Sequence, residues 1–458
     1  MKMSEGRAGH AGQTRLPRIV IIGGGFAGAS AAGALKKCKA EIILIDRRNH
    51  HIFQPLLYQV ATSVLAPADV ASPIRQLAAH QKNLFVMMAD VVDVDRAART
   101  VDAATTSGVK KIPYDYLIVA AGVCSSYFGH DEFALHAPSL KTITDAEAIR
   151  GKILAAYEKA ELTDDPGERA RLMKFVVVGA GPTGVELAAS IAQMASVTLR
   201  SNFRKIDPAN TSVLLVEAGP RILPSFAESL SEAAARRLRR IGVQILTGGK
   251  VERVDEPGVV IAGRRIFCAT VLWAAGVAPA PILQALGGRT DGSGRVAVNQ
   301  YLNLPDDRDI FVIGDAASFM QNGKPVAGVA QAAIQEGRYV GRLLTSKIND
   351  RLEPRRPFSY FDQGSMAVVG KNFAVLERGS IRWSGAAVWL IWAMVHVAFL
   401  PQLQNRLRVL TQWIWSYFTG ERSSRLIAET GLGHTATVAD VNTASEISRQ
   451  PKTRVRTA

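Results

Sequence analysis

Residues 18–28 read RIVIIGGGFAG, and residues 174–184 read KFVVVGAGPTG. Each stretch starts with a β-branched run, passes through glycines spaced G-x-G-x-x-G and enters an alanine-rich segment typical of a helix. The first glycine of this spacing permits a tight turn, the second lets backbone approach a pyrophosphate, and the third lets helix and strand pack closely. The helix amino terminus then presents free N–H groups to phosphates. Both stretches therefore predict strand–turn–helix units that bind dinucleotides.

An acidic residue ends the next predicted strand in both copies. Asp46 follows residues 41–45, and Glu217 follows residues 212–216. A carboxylate at this point accepts hydrogen bonds from an adenosine ribose. At Glu217 it favours a 2′-hydroxyl over a 2′-phosphate, which predicts NADH over NADPH. Arg221 lies nearby in the sequence and leaves that preference open.

The two copies also end alike, and the second lies inside the first. Residues 119–123 read VAAGV, and residues 273–277 read WAAGV. After the second copy come an apolar strand at 309–313, the Gly314-Asp315 turn and a predicted helix at 329–347. Two dinucleotide sites in one chain indicate electron transfer between a tightly held flavin and an exchangeable nicotinamide. Asp315, at a strand end, supports the flavin assignment for the outer copy.

The predicted fold class is α/β, with two nested Rossmann-like dinucleotide-binding domains and a C-terminal membrane-binding region of amphipathic helices. Residues 358–361 and 366–370 are predicted strands within the C-terminal part. The predicted division has six parts: a flexible N-terminus at 1–15, an FAD-binding domain at 16–125 that resumes at 278–347, an NADH-binding domain at 126–277, a membrane-associating region at 348–430 and a flexible basic tail at 431–458.

Composition excludes several classes of protein. The 458 residues are 48% hydrophobic, which excludes a wholly disordered chain. Cys38, Cys124 and Cys268 lie far apart without CxxC spacing, so neither a disulfide scaffold nor a metal site is predicted. The net charge of +15 fits nucleic acid, anionic lipid or simple solubility. Because no nucleic-acid-binding motif is present, no nucleic-acid partner is expected.

The C-terminal region is rich in tryptophan. Trp389, Trp392, His396 and Phe399 recur at the spacing of one helical face. The apolar run at 386–400 falls short of the roughly 20 residues that span a bilayer. Aromatic side chains and nearby arginines predict a helix lying on the membrane surface, with a dimer or core helix as the alternative. His396 is expected to be a packing residue. The cluster continues with Trp413, Trp415, Tyr417 and Phe418, preceded by Arg406 and Arg408.

With these motifs in place, the chain resembles the type II NADH dehydrogenases, which are single-subunit, non-proton-pumping NADH:quinone oxidoreductases. The resemblance covers roughly residues 16–430. The most specific motif follows the Gly314-Asp315 turn, where residues 330–335 fit the AQxAxQ quinone-site pattern of that family. The other matching stretches are 23–28, 51–59 (HIFQPLLYQ), 179–186 and 217–221 (EAGPR).

The resemblance implies a role for each matching residue. Glu186, Gln331 and Gln335 are the implied catalytic residues, with Glu186 beside nicotinamide and flavin and both glutamines facing the quinone. FAD contacts are implied for Gly23, Gly24, Gly25, Phe26, Ala27, Asp46, Arg47, Val91, Gly122, Gly314, Asp315, Gln331 and Ala332. NADH contacts are implied for Gly179, Gly181, Pro182, Thr183, Gly184, Glu217 and Gly276.

The residues themselves fit these roles. Glu186 is expected in the first turn of a helix, where complementing the helix dipole is the alternative explanation. Gln331 and Gln335 are four residues apart and share a helix face, from which amides can donate to quinone carbonyls. In one departure, Gln363 stands in the Asp-x-Gly turn where many family members carry lysine, so no role for that lysine is carried over.

The predicted function is therefore transfer of two electrons from NADH through FAD to a membrane quinone, at the cytoplasmic face of the inner membrane. A homodimer is compatible with this function. Three alternatives remain open: an NAD(P)H-dependent flavoprotein reductase with another acceptor, an enzyme like sulfide:quinone oxidoreductase, and a basic NADH-sensing flavoprotein that binds nucleic acid or protein. Cys124 bears on the second alternative, although a buried packing role suits it better.

Overall fold

The computed structural model describes residues 15–350 and 356–427, which form two compact units. The first unit comprises residues 15–52, 71–126 and the described part of 277–364. The second comprises residues 53–70, 127–276 and 365–427. The predicted flexible N-terminus and the basic tail at 431–458 lie outside the described residues, except for Arg15.

The described residues contain α-helices of very different lengths. In chain order they are α1 Phe26–Ala34, α2 Leu57–Ala61, α3 Pro67–Val70, α4 Ile74–Ala78, α5 Ile143–Leu162, α6 Pro166–Leu172, α7 Pro182–Gln193, α8 Glu228–Arg240, α9 Ala330–Ile348, α10 Ala386–Phe399 and α11 Leu403–Thr419.

A five-stranded parallel sheet forms the centre of the first unit. The β-branched run of the first glycine motif is its middle strand, because both faces are covered and every residue from Ile19 to Ile22 is buried. Helix α1 packs on α9 at very short range, where a Cβ on Gly337 would lie 2.1 Å from the carbonyl oxygen of Ala27. The strand order is Ile310–Val312, Tyr116–Val119, Arg18–Ile22, Glu41–Asp46, Leu84–Met88.

The second unit repeats this plan. Its parallel sheet has the order Val243–Thr247, Ser212–Glu217, Lys174–Val178, Thr270–Trp273. A three-stranded antiparallel sheet accompanies each parallel sheet. These strands are Asp90–Asp95, Thr100–Thr105 and Gly108–Pro113 in the first unit, and Val251–Asp255, Gly258–Ile261 and Arg264–Phe267 in the second. The predicted α/β class with a second dinucleotide-binding module inserted into the first is confirmed.

Short strand pairs complete the two units. In the first unit, Val123–Ser125 pairs with Val277–Pro279, His50–Ile52 with Ala71–Pro73, Val296–Ala297 with Ala317–Ser318, and Met320–Gln321 with Lys324–Pro325. In the second unit, an antiparallel sheet of Ser365–Val368, Ala374–Arg378 and Ile381–Gly385 leads into α10.

One strand prediction in the C-terminal part is wrong. Residues 358–361 are extended but belong to no sheet, whereas the strand predicted at 366–370 occurs as Ser365–Val368. The aromatic and polar alternation at 358–361 correctly indicated extended backbone. It could not indicate that glutamine side chains, and not a neighbouring strand, bind that backbone.

Part of the aromatic face of α10 packs inwards, as the alternative of a core helix predicted, whereas Phe399 of the same face is 46% exposed. Trp392 is buried, with its ring stacked 4.2 Å from His396 and 5.3 Å from Trp413 of α11. Trp389 lies 5.7 Å from Tyr417. His396 Nδ1 donates a 2.7 Å hydrogen bond to the carbonyl of Trp392, because a carbonyl oxygen can only accept. The predicted packing role of His396 is confirmed.

Helix α11 is held by polar contacts that include hydrogen bonds to α2 and α3, and it presents an apolar stripe. Trp413 Nε1 donates to Gln59 Oε1 of α2 at 2.7 Å, and Asn405 Nδ2 donates to the carbonyl of Asp69 at 3.0 Å. Within residues 15–350 and 356–427, no helix is both long and apolar enough to cross a bilayer. The opposite face of α11 carries five apolar side chains that are 44–80% exposed, called here the α11 stripe: Leu403, Leu407, Leu410, Ile414 and Phe418.

Candidate functional site

The first glycine loop is built by backbone contacts that exclude side chains. Gly23 has φ +99°, and a Cβ there would lie 2.3 Å from the carbonyl oxygen of Ala120. A Cβ on Gly28 would lie 1.8 Å from the carbonyl oxygen of Gly23. At Gly25, by contrast, a Cβ would meet nothing within 4 Å. Packing therefore requires glycine at positions 23 and 28, whereas Gly25 leaves open space at the start of α1.

That open space suits a pyrophosphate. Gly25 is the N-cap of α1 and has no side chain to bond the first-turn N–H groups, and no acidic residue occupies that turn. Phe26 and Ala27 are the first two residues of the helix. Uncapped N–H groups and the positive end of the helix dipole favour an anion. The donor set of the first unit therefore fits the phosphate part of FAD.

Asp46 braces this loop. Its carboxylate is buried and accepts hydrogen bonds from the backbone N–H of Gly24 at 2.6 Å and of Arg48 at 2.8 Å. Carboxylate oxygens have further lone pairs, so a ribose hydroxyl can still be accepted. Arg47, the neighbouring predicted contact, is exposed.

His51 contacts the first glycine loop from the short strand His50–Ile52. It is buried, and its Nδ1 lies 3.0 Å from the carbonyl oxygen of Gly24. A carbonyl only accepts, so Nδ1 carries the proton. Burial lowers the pKa of His51, which keeps the ring neutral. Its place in the HIFQPLLYQ stretch was the available indication, but only the fold shows which carbonyl it binds.

The second glycine loop reproduces the geometry of the first. Gly179 has φ +98°, and a Cβ on Gly184 would lie 1.8 Å from the carbonyl oxygen of Gly179. At Gly181 a Cβ would meet nothing within 4 Å, and this residue is the uncapped N-cap of α7. Pro182 and Thr183 open the helix and are exposed.

Glu217 braces the second loop as Asp46 braces the first. It accepts hydrogen bonds from the backbone N–H of Ala180 at 2.8 Å and of Gly219 at 2.9 Å. The guanidinium of Arg221 is already bound by its own loop, donating to the carbonyls of Phe226 at 2.7 Å and Pro224 at 2.8 Å. Arg221 is therefore committed to loop structure.

The Gly314-Asp315 turn is held by a residue that the motifs did not single out. Gly314 has φ +72°, and its backbone N–H donates to Glu336 Oε2 at 2.5 Å. Glu336 is buried on α9, and burial raises its pKa to about 8. Asp315 is half-buried in the turn, and Ala332 is buried near the start of α9. Glu336 directly follows Gln335, so its position at the end of the motif was the only sequence indication.

Gln331 and Gln335 both bind backbone of the same unit. Gln335 accepts from the N–H of Phe361 at 3.0 Å and donates to its carbonyl at 2.9 Å. Gln331 accepts from the N–H of Gln363 at 2.9 Å and donates to the carbonyl of Gly364 at 2.9 Å. The expected common face of the two glutamines is therefore present, and it is directed at residues 361–364.

Glu186 lies beyond the first turn of α7, so the expected first-turn position is wrong. The helix begins at Pro182, and its first turn contains no acidic residue. Glu186 is buried, and its Oε1 accepts a 3.2 Å hydrogen bond from the backbone N–H of Val368. Burial raises its pKa to about 8. A buried, protonated carboxyl explains this position better than dipole complementation does.

The remaining predicted residues occupy equivalent or peripheral places. Gly122 and Gly276 follow matching strands and have φ +68° and +72°. Val91 is half-buried near the start of the strand Asp90–Asp95. Cys124 donates from Sγ to the carbonyl of Ala278 at 3.5 Å, within the short pair of strands that follows Gly122.

Comparison with known proteins places this geometry in a family. The family described as pyridine nucleotide-disulphide oxidoreductase matches residues 17–337. The type II NADH:quinone oxidoreductase Ndh of Mycobacterium tuberculosis is 40% identical over 91% of this chain and 91% of its own length. The chain belongs to the type II NADH:quinone oxidoreductases. The resemblance predicted from its motifs is confirmed. A second member, NdhA of the same organism, is 41% identical over 90% of this chain and 89% of its length.

Solved structures share the fold of this type II oxidoreductase. The structure of NDH2 from Plasmodium falciparum in complex with NADH matches with a TM-score of 0.82, at 21% identity over 89% of this chain and 99% of that one. The sulfide:quinone oxidoreductase of Aquifex aeolicus matches with a TM-score of 0.65 at 17% identity, over 88% of this chain and 95% of that one. At these identities the likeness concerns the fold alone.

Proposed function

We propose that this protein transfers two electrons from NADH to a membrane quinone, with FAD as its tightly bound cofactor. Two equivalent glycine loops, each braced by a strand-end carboxylate, carry the proposal. Membership of the type II NADH:quinone oxidoreductases supports quinone as the acceptor. Bound FAD supplies the means of passing two electrons between a nicotinamide and a quinone.

The first unit holds FAD. Its pyrophosphate lies at Gly23, Gly24, Gly25, Phe26 and Ala27, where uncapped N–H groups of α1 face open space. The adenosine lies at Asp46, Arg47 and Val91. Asp315 would hold the ribityl–phosphate region and Gln331 and Ala332 would line the ring, with Gly122 and Gly314 as further FAD contacts.

The second unit holds NADH. Its phosphates lie at Gly179, Gly181, Pro182, Thr183 and Gly184, and Gly276 follows the neighbouring strand Thr270–Trp273 of the same sheet. Glu217 accepts from the 2′-hydroxyl of the adenosine ribose and repels a 2′-phosphate. Arg221, the cation that could offset this repulsion, already donates to three carbonyls of its own loop. Because the Arg221 guanidinium is already hydrogen-bonded in this way, the site should prefer NADH to NADPH.

Glu186 supplies a proton during quinone reduction. A quinone takes up two protons with its two electrons, and a carboxylic acid can donate only while it is protonated. Because burial raises the Glu186 pKa to about 8, the group still carries its proton at neutral pH. The Val368 N–H fixes the side chain by binding Oε1.

The α11 stripe rests on the bilayer from which the quinone arrives. Its five side chains are contiguous along one helix face, and α10 adds the exposed Leu390 and Met394. Burial of such a face in the interfacial region, with Arg408 exposed alongside, favours an anionic lipid surface. The protein is therefore peripheral, on the cytoplasmic face of the inner membrane. A homodimer that covered the stripe would contradict this assignment.

A single absorbance experiment tests the proposal. The purified protein should show a flavin band that NADH bleaches and that a quinone analogue then restores. If NADH bleaches the flavin band and a soluble acceptor restores it but the quinone analogue does not, the acceptor is the soluble compound and not a quinone. Bleaching by sulfide in place of NADH would point to sulfide:quinone chemistry. Slow turnover with tight, salt-sensitive nucleic-acid binding would instead identify a sensor.

A further inference from the structure

Residues 358–364 form an extended segment whose backbone is bound by three glutamine side chains. The segment belongs to no sheet. Gln321 accepts from the N–H of Tyr360 at 2.7 Å and donates to its carbonyl at 3.0 Å. Gln335 likewise accepts from the N–H of Phe361 and donates to its carbonyl. Gln331 accepts from the N–H of Gln363 and donates to the carbonyl of Gly364. A carboxamide has an acceptor and donors like those of a peptide group, so it can replace a strand neighbour.

The three glutamines come from two different elements. Gln331 and Gln335 lie on α9, one helical turn apart. Gln321 lies on the short strand Met320–Gln321, outside the AQxAxQ motif. One end of the segment is anchored by the buried ring of Phe358, which lies 5.2 Å from Phe319. The segment is therefore fixed along its length by side chains from its own unit.

Because the three glutamine amides already form hydrogen bonds with this segment, few of their donors and acceptors remain for a ligand. Each of the three side chains spends its oxygen and one N–H on the segment, and the Gln331 amide also lies 3.5 Å from Asp362 Oδ1. The segment itself presents exposed side chains here, since Phe361 is 61% exposed and Gln363 is exposed. These side chains lie beside the first two turns of α9, the part of the helix assigned to the flavin ring.

We propose that Gln321, Gln331 and Gln335 are positioning residues, which act on the quinone through residues 358–364 and not mainly by donating to it. The segment then shapes the quinone path with Phe361 and Gln363. Gln321 thereby becomes part of the quinone side of the site, although no motif marks it. This inference rests on the proposed quinone acceptor.

The test compares Gln321→Ala and Gln321→Glu with the same changes at Gln284, an exposed glutamine of the same unit. In Gln321→Ala we expect roughly a tenfold higher KM for a quinone analogue, the effect of losing one to two hydrogen bonds. Reduction of the flavin by NADH should be unchanged. Chymotrypsin should cleave the segment faster at its three aromatic residues, because their backbone is no longer held. The Gln284 variants should match the wild type in all three measurements.

Gln321→Glu adds a readout that simple misfolding would not give. Its carboxylate can accept from the Tyr360 N–H but repels the Tyr360 carbonyl, whereas the protonated acid can donate to that carbonyl. Quinone KM should therefore recover as pH falls towards the carboxyl pKa of about 4.3, with no such recovery in wild type.

The outcomes separate the inference from the proposed function. If cleavage of the segment accelerates in Gln321→Ala while quinone KM stays at the wild-type value, the positioning role is overturned and the quinone acceptor stands. An unchanged cleavage rate with wild-type kinetics also overturns it. If wild-type flavin is not reoxidised by quinone, the proposed function fails, whatever the variants do.

Discussion

The carboxylate of Glu217 accepts a 2.8 Å hydrogen bond from the backbone N–H of Ala180, inside the second glycine loop. The same relationship joins Asp46 and Gly24 in the first loop, at 2.6 Å. In both modules the strand-end acid therefore shapes the loop, in addition to the ribose contact proposed for it. Replacing either acid should therefore disturb the backbone of its glycine loop as well as the proposed ribose contact.

Glu217→Gln should weaken NADH binding and relax the preference over NADPH. Hydrogen bonds to a charged group contribute about 1.5–3 kcal/mol, which corresponds to roughly a 10–100-fold rise in KM for NADH. NADPH should be affected less, because the variant no longer repels a 2′-phosphate. Steady-state kinetics with both nucleotides measure this. Glu228→Gln, the same change at an exposed carboxylate of the same unit, is the control. Equal kinetics for the two variants would remove Glu217 from the nucleotide site.

Gly28→Ala and Gly184→Ala should separate the two modules. In each case the new Cβ would lie 1.8 Å from a carbonyl oxygen of its own loop, so the backbone has to shift. We expect Gly28→Ala to lose bound flavin during purification, whereas Gly184→Ala should keep the flavin and lose its reduction by NADH. Flavin absorbance and stopped-flow reduction measure these two effects.

Gly33→Ala is the matched control for both glycine variants. Gly33 lies on α1, where a Cβ would meet nothing within 4 Å. Alanine in a helix interior is favoured over glycine by about 0.5–1 kcal/mol, so this variant should keep its flavin and unfold at the same or a higher temperature. Loss of flavin from Gly33→Ala as well would show that α1 tolerates no added side chain, and the loop argument would fail.

The loops could be predicted from sequence because their determinants are local. Gly23 and Gly28 lie within one strand–turn–helix unit, and so do Gly179 and Gly184. The spacing fixes the approach of Gly28 to Gly23 and of Gly184 to Gly179, whereas the approach of Gly23 to Ala120 depends on a distant strand. Five strands of the two parallel sheets were predictable because their β-branched runs are continuous in the sequence, whereas Leu84–Met88 and Val243–Thr247, each with only one buried residue, were not predicted.

What could not be predicted depends on partners that are distant in the sequence. Periodicity placed Trp392 on a helix face but could not show that Trp413 would cover it. Glu186 is fixed and buried by the strand that ends at Val368, far along the chain. Its raised pKa follows from that burial, which no local pattern contains.

Glu186→Gln should remove a pH dependence from quinone reduction. The wild-type carboxyl is protonated below its pKa of about 8 and ionises above it, so donation of its proton should fail as pH rises through that value. We expect the flavin reoxidation rate of the wild type to fall in this range. The amide of Glu186→Gln does not titrate, so the flavin reoxidation rate of this variant should be lower than that of the wild type and should not change with pH in this range. Stopped-flow reoxidation between pH 6 and 9 (roughly one pH unit or more on either side of the pKa) measures the difference.

A control variant at a second glutamate shows whether loss of the pH dependence is specific to Glu186. Glu158 is exposed on α5, so Glu158→Gln should keep the wild-type decline around pH 8. If Glu186→Gln declines over the same pH range as the wild type, another group delivers the proton, and the buried carboxyl serves only to bind the Val368 N–H.

Acidic substitutions in the α11 stripe should detach the protein from membranes. Leu407 and Ile414 are 55% and 50% exposed on the face of α11 opposite the buried Asn405 and Val409, so replacing both by glutamate should leave the helix packing intact. The double variant loses buried apolar area and gains repulsion from anionic lipid, where each basic residue near the surface is worth about 1 kcal/mol. We expect it to remain unbound in flotation with anionic vesicles, and to lose turnover with long-tailed quinones while NADH still bleaches the flavin.

The control for the stripe is Leu135→Glu, because Leu135 is 82% exposed in the same unit but far from α11 in the sequence. It should float as the wild type does. Wild-type flotation should also be stronger with anionic than with neutral vesicles, since Arg408 is exposed on α11. If the double variant floats normally and instead changes from dimer to monomer in solution, a second copy of the chain covers the stripe. The quinone would then have to enter from a different face.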